Sequence, residues 1–183
     1  GLGAQGLFQE NVYRGIPLIP NIRSFSGGLF AFERLSLKRI DFELGGRVDG
    51  LARTAYLSPE GYAKHEKDGA LDMSVCSDTG SRIRCPNTYE TGSVSFGTLI
   101  HAVPDHVDVK VDFSSANRFP NIDELYLSGT APTFPVYATG RPNLGIETSW
   151  GGSLTLGLRF LELEGEVSAH ASHIDNYIYF SPA

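Results

Sequence analysis

Along most of this chain, hydrophobic and polar residues alternate with a period of two. The clearest run is Asp105 to Phe113, where Val107, Val109, Val111 and Phe113 share one face. His106, Asp108, Lys110 and Asp112 share the other. In Arg39–Asp49, Ile40, Phe42, Leu44 and Val48 oppose Arg39, Asp41, Glu43, Arg47 and Asp49. Leu154, Leu156, Leu158 and Phe160 oppose Ser153, Thr155 and Arg159. Successive side chains of a strand point to opposite faces, so this pattern predicts half-buried β-strands and no helix. We expect seven strands, over residues 1–10, 22–34, 37–53, 89–102, 105–117, 147–160 and 162–179.

The connections alternate in length. Tight turns are expected near Leu35–Ser36, Val103–Pro104 and Phe160–Leu161. The other connections are long, over about 11–21, 54–88 and 118–146. Outer-membrane barrels keep this rhythm, with short periplasmic turns and long extracellular loops. The fold class expected is therefore all-β, an antiparallel transmembrane β-barrel sheet. Its polar face would line a wet interior and its apolar face would meet lipid, with Tyr177, Tyr179 and Phe180 at the interface. The competing architecture is a soluble β-sandwich with one solvated face. No apolar run approaches the ~20 residues of a membrane-spanning helix.

Composition narrows the functions. The 183 residues carry a net charge of -6, which argues against a basic face for nucleic acid. The two cysteines, Cys76 and Cys85, lie in the polar stretch CSDTGSRIRC. One disulfide closing a short loop is the natural reading in an oxidising compartment, and a pair of free thiols is the alternative. Their spacing is not that of a zinc knuckle, so no metal site is assigned. The first residues do not have the basic end and apolar stretch of a signal peptide.

Nothing in the chain has a catalytic pattern. There is no nucleophile elbow, phosphate loop or HExxH. Ser24, Ser26 and Ser128 have no His and Asp at recognisable spacing. The acidic residues alternate along strands, as a solvated face does. No enzyme activity and no cofactor are expected.

The segment Asp112–Ser149 reads DFSSANRFPNIDELYLSGTAPTFPVYATGRPNLGIETS. It resembles the signature loop of TonB-dependent outer-membrane receptors. The matching residues are Arg118, Phe119, Pro120, Glu124, Leu125 and Tyr126, then Gly140, Pro142, Asn143, Leu144, Glu147 and Ser149. Arg141 stands where that family usually has Asn, and Gly145–Ile146 stands where Lys-Pro is common. The flanking GGSLTLGLRF and DNYIYF follow in the expected order, and PNIRSFSGGLFAFERL with DFELGGRVD adds to the likeness upstream.

The resemblance implies a barrel of about 22 strands filled by a plug domain. Seven strands cannot close it, so residues 1–183 are expected to be part of one barrel domain, with plug and closing strands elsewhere. It also implies a bacterial outer-membrane location, a Gram-negative source and extracellular loops. The implied partners are outer-membrane lipid, the TonB energy-coupling complex acting through the plug, and a scarce small-molecule or metal-complex cargo. Such cargoes include ferric siderophores and haem.

Candidate cargo contacts are Tyr62 and His65 in the 54–88 loop, with Arg118, Tyr126, Tyr137 and Arg141 in the 118–146 loop. Tyr56, Glu66, Asp68, Asp72, Asp78 and Tyr89 also lie in or beside the first of these loops. Pro120, Glu124, Leu125, Pro142 and Glu147 recur in receptors with different cargo, which points to a structural role. A surface or secreted β-sandwich that binds glycan or protein is the alternative function, and detergent dependence separates the two.

Overall fold

The protein is described here from a computed structural model covering residues 1–14, 18–67, 75–130 and 137–180. Long antiparallel strands follow the alternation closely. They are β1 (Leu2–Asn11), β2 (Asn21–Ser36), β3 (Ile40–Leu57), β4 (Ser77–Asp78) and β5 (Ile83–Val103). Then come β6 (Val107–Arg118), β7 (Ser128–Thr130), β8 (Tyr137–Thr139), β9 (Glu147–Phe160) and β10 (Leu163–Asp175). The main sheet runs β1-β2-β3-β5-β6-β9-β10, with the two-residue β4 beside β5, and β7 pairs with β8 in a small hairpin.

Each main strand pairs with its neighbour in sequence, so all long connections fall at one end of the sheet and all tight turns at the other. Several boundaries differ from the sequence expectation. The first tight turn is Leu37–Arg39, not Leu35–Ser36, and is closed by the Leu37 amide donating to Ile40 O at 2.8 Å. Leu35 and Ser36 continue the ladder opposite Phe42 and Asp41. β3 and β5 extend further into the long-loop end than expected, to Leu57 and from Ile83. The last strand stops at Asp175 rather than 179.

Two short helices also appear in the long loops, α1 (Pro59–Lys67) and α2 (Ile122–Tyr126), where no helix was expected. The remaining tight turns contain Asp105 and Leu161 at positive φ, 63° and 54°. Asp tolerates the left-handed region better than Leu does.

Register settles which residues share a face. Ile40 opposes Ile100, which opposes Val109; Val109 opposes Leu156, and Leu156 opposes Val167. One strand position away, the other face carries the row Asp41, Leu99, Lys110, Thr155 and Ser168, polar except for Leu99. Ion pairs of both signs line that polar face. They include Arg34–Asp41, Arg47–Asp49, Lys110–Asp112 and Arg159–Asp108.

The apolar face has no second layer among the described residues. Leu29, Leu44, Val48, Leu154 and Val167 are all exposed. The chain as a whole exposes 12286 Å². A globular protein of its mass would expose about 8,700 Å² by the usual scaling. A sandwich would bury such a face against a second sheet. The buried core instead sits on the polar face, at the long-loop end. It is built from Ile22, Ala55, Leu57, Ile83, Cys85, Leu125 and Tyr126.

Candidate functional site

The long-loop end is organised around the loop that joins β6 to β9. β6 ends in Arg118 on the polar face, directly opposite Glu147, the first residue of β9. Pro120 follows and is fully buried. It lacks an amide donor and fixes φ, which suits the step from strand to turn. α2 then begins, and the Glu124 carboxylate turns back to accept from the Asn121 amide at 2.7 Å. An acid at this position satisfies an otherwise unpaired amide of the first helical turn.

Arg118 holds both ends of the loop together. Its Nη1 donates to both oxygens of Glu124 at 2.9 Å. Its Nε and Nη2 donate to the two oxygens of Glu147 at 3.2 and 3.1 Å. The second Glu147 oxygen also accepts from the Ile178 amide at 2.9 Å. A planar guanidinium matches two carboxylates in this forked way, whereas an ammonium offers only a point charge.

The polar face of the sheet receives the loop. Arg53 on β3 donates to Pro120 O at 2.8 Å. Asn87 on β5 donates to Pro142 O at 3.2 Å and accepts from the Tyr126 hydroxyl at 2.7 Å. The Tyr89 hydroxyl donates to Leu144 O at 3.3 Å, and its ring lies 5.9 Å from Phe119. Leu125 and Tyr126 are buried against Ile22, Ala55 and Cys85. Burial pushes the Tyr126 hydroxyl pKa well above the usual phenol range, so it stays a neutral donor to Asn87. Tyr89 was named from the sequence beside the 54–88 loop, whereas Arg53 and Asn87 were not singled out. Their one signal there is that they share the polar face of two paired strands, Arg53 opposite Asn87.

The second half of the motif returns over α2. Gly140 donates to Leu127 O at 2.7 Å and Arg141 to Glu124 O at 2.8 Å. A Cβ built on Gly140 would lie 2.6 Å from the backbone of Leu125 and Tyr126, so only glycine fits. Pro142 is fully buried, Leu144 is half-buried against the core, and Asn143 is exposed.

The loop between β3 and β5 packs on the same core. Cys76 and Cys85 form a disulfide, with Cys85 buried and Cys76 against the cluster. Tyr62 of α1 packs partly buried on this cluster, and desolvation raises its hydroxyl pKa. His65 is buried, with its ring edge-on to Tyr126 at 6.4 Å. Tyr137 is exposed beneath the Lys64 ammonium, which lies 4.8 Å from its ring centre. The Arg141 side chain is exposed. Asp68 and Asp72 lie outside the described residues.

The structure thus brings Arg118, Pro120, Glu124, Leu125, Tyr126, Pro142, Leu144 and Glu147 into one assembly, with His65 and Tyr62 against it. Among the described residues, no three His, Cys, Asp or Glu side chains are placed to hold a metal ion. The arrangement offers no nucleophile with a paired base. Tyr137 and Arg141 lie exposed at the long-loop end, beside this assembly.

Comparison with known proteins places this geometry. The sequence matches the family described as TonB dependent receptor-like, beta-barrel over residues 5–183. Among solved structures, the chain is similar to the Serratia marcescens hemophore receptor HasR, solved as a double mutant in complex with its hemophore HasA and heme. The TM-score is 0.66 at 16% identity, over 97% of this chain and 31% of that one. This likeness speaks for the fold, and the chain spans about a third of that receptor's length. No curated protein matches the sequence. With the family match over nearly its whole length and the open antiparallel sheet of matching shape, the chain belongs to the TonB-dependent receptor β-barrel family.

Proposed function

We propose that this chain is part of one barrel domain of a TonB-dependent outer-membrane transporter. The transporter takes up a scarce nutrient such as a ferric siderophore, haem or another metal complex. The observation that carries the reading is the loop clamped by Arg118 onto the polar face, at the end where all three long connections gather. In this reading the long-loop end faces the outside of a Gram-negative cell, and the apolar face meets outer-membrane lipid. Energy arrives from the TonB complex through a plug domain that other parts of the protein supply. No catalytic step is assigned.

Of the candidate cargo contacts, Tyr137 and Arg141 are exposed, and we assign them to direct contact with cargo. An aromatic face beside cations suits a flat or anionic metal complex. Arg118, Tyr126, His65 and Tyr62 instead shape the frame that holds those two. HasR was solved with a hemophore and heme, which puts haem first among the cargoes to test.

The experiment is uptake of labelled haem and a panel of ferric siderophores by cells carrying the full-length protein, with and without a working TonB complex. Uptake of one cargo that requires TonB supports the reading. Equal entry of every compound with and without TonB counts against it.

A further inference from the structure

The three long loops meet at one residue, Ser128. Its amide donates to Leu18 O of the β1–β2 connection at 3.1 Å. Its carbonyl accepts from Lys64 Nζ of α1 at 3.3 Å. Its hydroxyl lies 3.5 Å from the Tyr137 hydroxyl across the β7–β8 hairpin. Next to it, Gly129 adopts φ 144°, and a Cβ there would lie 2.7 Å from Leu18 Cδ2. The first and third loops therefore touch here, and the positive φ of Gly129 favours glycine whatever the space.

Lys64 grips the hairpin on both strands, through Ser128 O of β7 and the Tyr137 ring of β8. A cation over an aromatic ring, with a carbonyl as second partner, needs both hairpin strands in register. Ser128 O and Ser128 N belong to flanking peptide units of one extended residue. Fixing the carbonyl therefore limits the motion of the amide that Leu18 holds.

We propose that Lys64 is a positioning residue that fastens all three long loops into one unit through Ser128, so that a displacement of α1 is felt at the Ser128 amide that the β1–β2 connection holds. This linkage stands apart from the transport reading, because it concerns only the loops' mechanics. The Arg118 clamp is a separate fastening. It acts at Glu124 and Glu147, and the backbone oxygen of Glu124 receives the Arg141 amide.

Amide hydrogen exchange on the full-length protein in detergent tests the linkage. In Lys64→Met, which keeps the stem and removes the charge, the Ser128 amide should exchange roughly tenfold faster. The Arg141 amide, held by Glu124 O, should keep its native rate. Lys64→Arg should restore Ser128 protection, since a guanidinium retains both interactions. An unchanged Ser128 rate in Lys64→Met would overturn the proposal. So would an equal rise at Arg141, which would mean general loosening, or a failure of Lys64→Arg to restore protection.

Discussion

Arg118 Nη1 lies 2.9 Å from each carboxylate oxygen of Glu124, so one nitrogen ties the end of β6 to the first turn of α2. The other two nitrogens are committed to Glu147. Both carboxylates are largely shielded from water, at 14% and 13% side-chain exposure. Losing the guanidinium would leave two shielded acids side by side. Arg118→Ala should therefore cost the loop about 2 kcal/mol, discounted for the partly exposed arginine. Exchange at the Asn121 amide reads this directly, and Arg118→Lys should recover less than half the loss because it cannot fork.

Gly140→Ala tests the close approach of the returning chain. The added methyl meets backbone rather than a movable side chain, so α2 and the return segment must separate. We expect a loss of about 1–3 kcal/mol in the loop, with the strands unaffected. Limited proteolysis should cut 119–146 faster in this variant while the sheet stays resistant.

The buried pair Tyr126–Asn87 gives a third test. Tyr126→Phe removes the donor and leaves Asn87 Oδ1 without its 2.7 Å partner. The expected cost is about 1–3 kcal/mol. In a double-mutant cycle with Asn87→Leu, a coupling energy near zero would contradict the bond's importance.

The apolar face makes a different prediction. Val109 and Leu156 oppose each other near mid-strand on that face. Lysine at either site should oppose assembly into lipid by about 2–4 kcal/mol. Lysine at Thr155, on the polar face opposite Lys110, should fold into vesicles normally apart from mild charge repulsion. Normal assembly of both apolar-face variants would mean the faces are assigned the wrong way round.

Reduction of Cys76–Cys85 should leave the main sheet intact and loosen only the segment around α1. The bridge joins residues 9 apart, so the closed loop is short and the entropic effect modest, about 2–3 kcal/mol. Exchange within α1 should accelerate on reduction, while the amides of β3 and β6 keep their rates.

The sheet was legible in the sequence because its side chains obey a strict period of two, and a slip of one residue would exchange the faces. Leu35 and Ser36 were misread as a turn because Leu37 looks like a strand residue, whereas the true turn uses Leu37–Arg39. α1 and α2 were missed because each is too short for a helical period to stand out, and α2 depends on Glu124 bonding back to Asn121. The motif residues were legible through family resemblance. Their receiving surface was not, because Arg53 and Pro120 are 67 positions apart and only the register brings them together.

In the transporter reading, the apolar face of this sheet meets lipid while the polar face does not. Single cysteines placed in turn from Val107 to Phe113 and labelled with a fluorophore test it most directly, since Cys76 and Cys85 are held in their own bridge. The full-length protein in vesicles of brominated lipid should show strong quenching at 107, 109, 111 and 113 and weak quenching at 108, 110 and 112. Uniform quenching, or none at any position, would contradict a membrane-spanning barrel strand here.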